Sequence, residues 1–171
     1  IQDVSGISER RWATPEQTVA DLAVAAGQDC LKNAGLSGAD LAMIFVASGT
    51  ASRRFPGPAA EVAERIGAAG KPALDFPMAS AGSLFALALA ARLAGNGPIL
   101  VIGAEKMSTV VDKEPMERET AILFGDGAGA VLVTSGPGQL KVVDSALYSD
   151  GSFRDDLTLD ASGRFRMNGR S

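Results

Sequence analysis

The stretch LDFPMASAGS at residues 74–83, followed by the apolar run from Leu84 to Leu93, decides the fold. It predicts a short buried strand, a tight turn of small residues and then an apolar helix. Such a turn exposes one side chain at a helix N-terminus, where unpaired N–H groups and the helix dipole favour developing negative charge. Ser80 stands there and is the candidate nucleophile. The alternative is that Ser80 only caps the helix.

Continuous apolar segments surround this stretch and predict further strands. They lie at residues 41–47, 72–76, 98–103 and 128–133. A fifth strand is expected at residues 139–148, and the polar residues 149–171, which lack a clear period, are interpreted as a connector. Unbroken apolar strands are typical of a sheet that is covered on both faces.

Helix signals lie between these strands. Thr14 as N-cap, Pro15 at the first helical position and Gly35 at the C-terminal end predict one helix. A second helix is predicted over about Pro58 to Ile66. Strands that alternate with helices in this way predict an α/β domain.

Composition excludes several classes of function. The 171 residues suit one domain, and a net charge of −4 argues against nucleic acid as a main partner. The chain has one cysteine, Cys30, and no histidine, so a zinc site is not expected. No apolar run reaches the roughly 18 residues of a membrane span. We therefore expect a cytoplasmic protein, with the arginine doublets at 10–11 and 53–54 on its solvated surface.

Two short motifs invite chemical readings that their context does not support. Residues 78–82, MASAG, are similar to the nucleophile elbow of α/β hydrolases, but that mechanism needs a histidine base and the chain has none. Residues 125–130, GDGAGA, superficially resemble a dinucleotide-binding loop, but they precede a strand and do not open a helix. The hydrolase reading therefore fails unless the base comes from elsewhere, and Gly125-Asp126-Gly127 is interpreted as a structural turn before the strand at 128–133.

Taken together and in order, several segments resemble the N-terminal half of a β-ketoacyl-acyl carrier protein synthase III, in the thiolase superfamily. The segments are SGISERR at 5–11, Phe55-Pro56, residues 75–82, GAE at 103–105, RET at 118–120, FGDGAGA at 124–130 and MNG at 167–169. The FGDGAGA segment with its upstream Arg-x-Thr is the most specific of them. The resemblance covers essentially the whole chain.

The resemblance implies the thiolase fold, in which two similar halves pack as αβαβα layers. Residues 1–171 would form the N-terminal half, with a mixed five-stranded sheet, and the C-terminal half of the same protein would complete the fold. It also implies a homodimer, in which the residue at the position of Phe55 reaches into the partner's acyl pocket.

The resemblance further implies an acyltransferase of fatty-acid or polyketide biosynthesis, with acyl-CoA or acyl carrier protein as partner. Ser80 stands at the position of the family's nucleophilic cysteine, and a histidine and an asparagine from the C-terminal half complete the site. Coenzyme A thioester is then a substrate, and no bound cofactor is expected. Substrate-binding roles are implied for Arg118, Thr120, Leu123, Phe124 and Phe55.

Two positions depart from the family pattern. Ser80 replaces the cysteine, and a hydroxyl is much harder to ionise than a thiol. Val4 stands where the family has an arginine that contacts coenzyme A, which leaves a carrier-protein or pantetheine-linked donor open. Three readings of Ser80 follow: a serine nucleophile that is acylated, a catalytically silent subunit, or a cysteine-to-serine variant that traps ligands.

Overall fold

The centre of the molecule is a mixed four-stranded sheet with the order β2-β1-β3-β4. The computed structural model describes residues 2, 6–111, 121–160, 163 and 165–167. The strands are β1 (Met43–Ala47), β2 (Ala73–Phe76), β3 (Ile99–Lys106) and β4 (Asp126–Val133). β1 is parallel to β2 and β3, and β4 is antiparallel to β3. The last residues of β1, β2 and β3 and the first of β4 therefore share one end of the sheet, called here the carboxyl end.

Helices lie on both faces of this sheet and bury its inner strands β1 and β3, as predicted, but β2 and β4 are exposed or half-buried, so the prediction that residues 72–76 form a buried strand is wrong. The helices are α1 (Val19–Ala34), α2 (Pro58–Arg65), α3 (Ala81–Leu93) and the short α4 (Ser108–Val111). Alternate side chains of a strand point to opposite faces. Ile44 and Val46 accordingly belong to the core that includes α1 and α2, whereas Phe45 packs with α3. The predicted α/β class and mixed sheet are confirmed.

Small residues let α3 approach the sheet closely. Ala86 and Ala90 are fully buried against Phe45, Ile99 and Val101. Other apolar side chains of α3 point away from this core, and Leu84 is 64% exposed. α3 is therefore a helix with apolar residues on both its sheet-facing and its outward-facing sides.

The first helix begins four residues later than predicted. Thr18, and not Thr14, is the N-cap: its hydroxyl accepts from the Asp21 amide, and Asp21 accepts in return from the Thr18 amide at 2.6 Å. Residues 14–17 instead form a turn in which the Gln17 amide donates to the Thr14 carbonyl. Asp21 at the third helical position completes a capping box at Thr18, which outweighs the proline signal at residue 15. The predicted end is confirmed, because Gly35 closes α1 with a φ of 66°.

This capping box predicts a specific pH dependence of stability. The Thr18 amide, then the Thr18 hydroxyl and Arg65, lower the pKa of Asp21 from 3.8 to about 2. A lowered pKa in the folded state stabilises above the unfolded value, near 4, and the stabilisation is lost as the pH falls through about 2. Asp21→Asn should therefore cost about 1 kcal/mol at pH 7, and this difference should vanish near pH 2. Urea unfolding of both proteins from pH 7 downwards measures it.

The control for this prediction is Glu64→Gln, which removes an exposed carboxyl of α2. Its unfolding free energy should follow that of the unchanged protein at every pH. A constant difference between Asp21→Asn and the unchanged protein from pH 7 to pH 2 would show that the Asp21 charge does not stabilise the fold.

The expected fifth strand is wrong. Residues 141–150 have no strand pairing, and Leu140, Val143 and Tyr148 are 95%, 87% and 88% exposed. The segment is tied to the rest of the chain by a hydrogen bond from Arg92 to the Ser145 carbonyl. Its alternating apolar residues favour a strand. A strand also needs a neighbouring strand with which it can form hydrogen bonds, and this segment does not pair with β4. The main sheet described here therefore has four strands.

The polar C-terminal region, which the sequence analysis interprets as a connector, contains regular structure. Two short strands, β5 (Leu157–Leu159) and β6 (Phe165–Met167), form an antiparallel pair separate from the main sheet. Three-residue strands are too short for alternation to be recognised in the sequence. Within the described residues, no helix combines the length and the hydropathy of a membrane span.

Candidate active site

The turn between β2 and α3 places Ser80 at the carboxyl end of the sheet and at the start of α3. Ser80 is exposed and has φ 52° and ψ −79°, which makes it the non-glycine residue with positive φ in the described part of the chain. Its hydroxyl makes no capping hydrogen bond to the first turn of α3. The structure therefore does not support the alternative that Ser80 serves as a side-chain cap. A positive φ on a residue with a Cβ costs about 1–3 kcal/mol and persists only where neighbours impose it.

Close packing on the sheet side imposes this geometry. A Cβ on Gly82 would lie 3.1 Å from Met78 Cβ and 3.3 Å from Ala47 Cβ, so the start of α3 sits directly on the end of β1. Phe76 anchors the other side of the turn through an edge-to-face contact with Phe45, with ring centroids 5.3 Å apart. The backbone that carries Ser80 is thus fixed from both flanks.

The loop after β1 packs against the same turn. A Cβ on Gly49 would lie 2.8 Å from Ala79 Cβ and 3.0 Å from the Ala79 nitrogen, so only glycine fits there. The Ser48 amide donates to the Phe76 carbonyl at 3.1 Å. Residues 48–50, called here the β1 turn, therefore contact the residue that precedes Ser80.

One acidic side chain holds the β1 turn. Glu105, near the end of β3, accepts from the Gly49 amide at 2.8 Å and from the hydroxyls of Thr50 and Ser48. The Thr50 hydroxyl oxygen accepts in turn from the Lys106 amide at 2.8 Å. The β1 turn is in this way bonded to β3 and packed against Ala79, in the turn that carries Ser80.

A second acidic residue organises the far side of the carboxyl end. Asp126 accepts from the amides of Ala13 and Ser108 at 2.8 and 2.7 Å and from the Ser108 hydroxyl at 2.6 Å. The Asp126 amide donates to the Arg11 carbonyl. Gly125 lies against the Arg11 backbone, where a Cβ would come within 3.1 Å of that carbonyl oxygen. Of the GDG residues predicted as a turn, Asp126 and Gly127 instead begin β4, and Gly125 and Asp126 contact the N-terminal segment.

The structure describes some of the predicted substrate-binding residues. Leu123 is exposed and Phe124 is half-buried just before β4, and Phe124 packs against a small core cluster of Met107, Val110 and Val111. Phe55 is 92% exposed in the loop before α2. Leu123 and Phe124 share the carboxyl end with Ser80, although β2 and β4 are opposite edge strands. Arg118 and Thr120, and also Val4, lie outside the described residues.

The surroundings of Ser80 are open. A cavity of about 220 Å³ lies elsewhere, between the start of α1, the loop before α2 and α2 itself, and its lining includes Thr18, Arg53 and Glu61. In the part of the chain that the structure describes, no group of three or more His, Cys, Asp or Glu side chains could hold a metal ion. Ser80 itself presents a free hydroxyl at the start of α3, without a capping hydrogen bond.

Sequence reasoning missed three residues of the carboxyl end. Glu105 and Asp126 lie in segments that carry the family resemblance, but their roles as acceptors depend on donors far away in the chain. Arg10 was interpreted as solvated surface, yet it is half-buried and donates to the Ile122 carbonyl, next to Leu123. A usable signal for Glu105 is an acid at the end of an otherwise unbroken apolar strand. Arg11 and Arg53, by contrast, are exposed as predicted.

Comparison with known proteins gives consistent relatives. The family model 3-oxoacyl-(acyl-carrier-protein (ACP)) synthase III matches residues 74–151, from β2 through β4. β-Ketoacyl-(acyl-carrier-protein) synthase III 1 of Vibrio cholerae is 41% identical over 165 residues, which cover 94% of this chain and 51% of that protein. The chain thus spans about half the length of the curated relatives it matches.

Solved structures agree with the sequence relatives. The crystal structure of 3-oxoacyl-(acyl-carrier-protein) synthase III from Aquifex aeolicus has a TM-score of 0.87 at 39% identity, covering 96% of this chain and 54% of that one. A priming β-ketosynthase of a polyketide biosynthetic pathway has a TM-score of 0.82 at 29% identity, covering 96% and 53%. Sequence and fold agree, so the chain is similar, over nearly its whole length, to about half the length of the β-ketoacyl-acyl carrier protein synthase III proteins of the thiolase superfamily.

Proposed function

We propose that this chain carries the nucleophile of an acyl-transferring condensing enzyme and that Ser80 is the residue that is acylated. The observation that carries the proposal is the exposed Ser80 hydroxyl, held with a positive φ at the start of α3 and not used as a cap. Backbone N–H groups at a helix N-terminus stabilise the negative charge that develops on a carbonyl oxygen under attack. The donor would be an acyl thioester of coenzyme A or of acyl carrier protein.

The proposed reaction has a defined balance of bonds. The Ser80 oxygen attacks the thioester carbonyl, a C–O bond forms, the C–S bond breaks and the thiol leaves. The Ser80 proton must pass to a base, and the chain has no histidine to accept it. We therefore place the base in a C-terminal half of the same protein, together with the asparagine that the family resemblance implies. The resulting oxygen ester would be the acyl donor in condensation.

Exposed apolar surface supports a further part of the proposal, that a second half and a second protomer cover this chain. Leu84 of α3 and Val131 of β4 are 64% and 49% exposed on the α3 side of the sheet. Phe55, at 92% exposure, is placed to reach beyond its own chain, and we propose that it lines the acyl pocket of the partner in a homodimer. Arg118, Thr120, Leu123 and Phe124 are proposed to bind the thioester donor.

The test uses the protein as its gene encodes it, incubated with acetyl-CoA and, separately, with an acyl-carrier-protein thioester. Intact mass should rise by one acyl group, and peptide mapping should place that group on Ser80. Ser80→Ala should abolish the adduct, whereas the exposed loop variant Ser52→Ala should keep it. The identity of the productive donor distinguishes coenzyme A from carrier protein.

The opposite outcome is equally informative. Absence of an adduct with both donors, in a folded protein, would overturn the proposal and favour the catalytically silent subunit. A substrate complex that forms without acyl transfer would favour the ligand-trapping reading of Ser80.

A further inference from the structure

We propose that Glu105 is a positioning residue that holds the β1 turn against Ala79 and thereby fixes the backbone around Ser80. Its carboxyl group does not contact the reacting atoms. It acts through two successive layers of contact, the first made of hydrogen bonds and the second steric. The kinetic consequence of this inference rests on the proposed acylation of Ser80, whereas its structural part stands on the contacts alone.

The first layer joins β3 to the β1 turn. One oxygen of Glu105 accepts from the Gly49 amide at 2.8 Å, and the other accepts from the Thr50 and Ser48 hydroxyls. All three donors lie about 55 residues away in sequence, and Ser48 is buried. One carboxyl group thus accepts from three of the five hydrogen-bond donors of this short, partly buried turn.

The second layer is steric. Gly49 lies so close to Ala79 that an added Cβ would approach Ala79 Cβ to 2.8 Å, well inside van der Waals contact. Ala79 precedes Ser80, whose positive φ must be imposed by its surroundings. The position of Gly49 therefore limits where Ala79 can lie, and with it the backbone of Ser80.

Glu105 is well placed to set this position because its backbone belongs to the ladder between β3 and β4. β3 is an inner strand, paired with β1 on one side and β4 on the other, and Glu105 lies opposite Gly127. The adjacent Lys106 amide donates to the Thr50 hydroxyl oxygen, which orients that hydroxyl toward Glu105. Displacement of a nucleophile by about 1 Å can cost about 10²-fold in rate.

The experiment compares Glu105→Ala and Glu105→Gln in the protein as its gene encodes it. Glu105→Ala should lower the rate constant of Ser80 acylation by acetyl-CoA about 10²-fold while the KM changes less than about threefold. Glu105→Gln keeps an oxygen that can accept from the Gly49 amide, so it should restore the rate to within about fivefold of the unchanged protein. If Glu105→Ala lost activity only because the protein unfolds, Glu105→Gln would not restore the rate constant of acylation selectively.

Hydrogen exchange followed by mass spectrometry provides the readout that does not require activity. Glu105→Ala should speed exchange in peptides covering residues 47–51 and 77–83, with α1 unchanged. Gly49→Ala should speed exchange in the same two peptides by pushing on Ala79. Its matched control is Gly95→Ala, because Gly95 has open space where a Cβ would go.

The outcomes separate the two proposals. Faster exchange at 77–83 in Glu105→Ala, with no acylation of the unchanged protein, supports the positioning role and overturns the acylation of Ser80. Unchanged exchange at 77–83 overturns the positioning role, whatever the activity. An acylated protein in which Glu105→Ala keeps the full rate constant overturns it as well.

Discussion

Ser80→Cys is expected to raise the rate of acyl transfer from an acyl thioester on the order of 10²-fold. A thiol near a helix N-terminus ionises close to neutral pH, and the thiolate is the attacking form, whereas a serine hydroxyl depends on a base for its proton. The substitution replaces only the side-chain oxygen of residue 80 by sulfur. Contacts of Gly82, Ala79 and Phe76 set the backbone geometry, so the turn itself should not move. Single-turnover acylation followed by mass spectrometry measures the effect, with Ser80→Ala as the inactive reference.

The same variant carries its own internal control. Cys30 is half-buried, and burial, with a smaller effect of Asp29, raises the pKa of its thiol. Iodoacetamide at pH 7 should therefore label the introduced thiol much faster than Cys30. An introduced thiol that is alkylated no faster than Cys30, in a variant that acylates no faster than the serine protein, would refute activation by the start of α3.

Asp126→Ala should destabilise the fold by about 3 kcal/mol. The carboxyl group accepts from two amides and one hydroxyl, and all three donors lose their partner when it is removed. These bonds join β4, the start of α4 and the N-terminal segment, so the loss is not confined to one loop. Urea unfolding monitored by circular dichroism gives the difference in the free energy of unfolding. Asp126→Asn keeps one accepting oxygen, so its free energy of unfolding should lie between those of the unchanged protein and of Asp126→Ala.

Asp144→Ala is the matched control for this prediction. Asp144 is exposed and accepts from the adjacent Ser145 amide, so its loss should change the free energy of unfolding by less than about 0.5 kcal/mol. Equal stabilities of Asp126→Ala and Asp144→Ala would mean that the Asp126 contacts contribute no net stability.

The parts of the fold that sequence reasoning predicted well are those with strong local signals. The unbroken apolar run of β3 predicts a strand, the proline at the start of α2 predicts a helix start, and the small residues at 79–82 predict the turn that carries Ser80. A period of two was not enough at residues 139–148, because a strand needs a partner edge as well as a pattern. Thr14 and Thr18 offer competing caps, and the reciprocal bond with Asp21 decides between them.

The candidate site was predictable only in part, for a related reason. Ser80 could be located because its signal lies within ten consecutive residues. Glu105 could not be assigned a role, because its donors at residues 48–50 reach it only after β1 and β3 pair. Arg10 was placed on the surface by its charge, whereas its acceptor, the Ile122 carbonyl, lies 112 residues further along the chain.

The buried Lys106 has a consequence for how freely this protein can vary. Its ammonium group donates to the carbonyl oxygens of Thr14, Pro15 and Gln17 at 2.7, 3.2 and 2.6 Å, and the residue is only 7% exposed. All three acceptors belong to the main chain, so the lysine recognises the path of the turn and not its side chains. In evolutionary terms, a substitution at residues 14–17 disturbs these three bonds only if it changes the course of the main chain, whereas a substitution of Lys106 removes all of them.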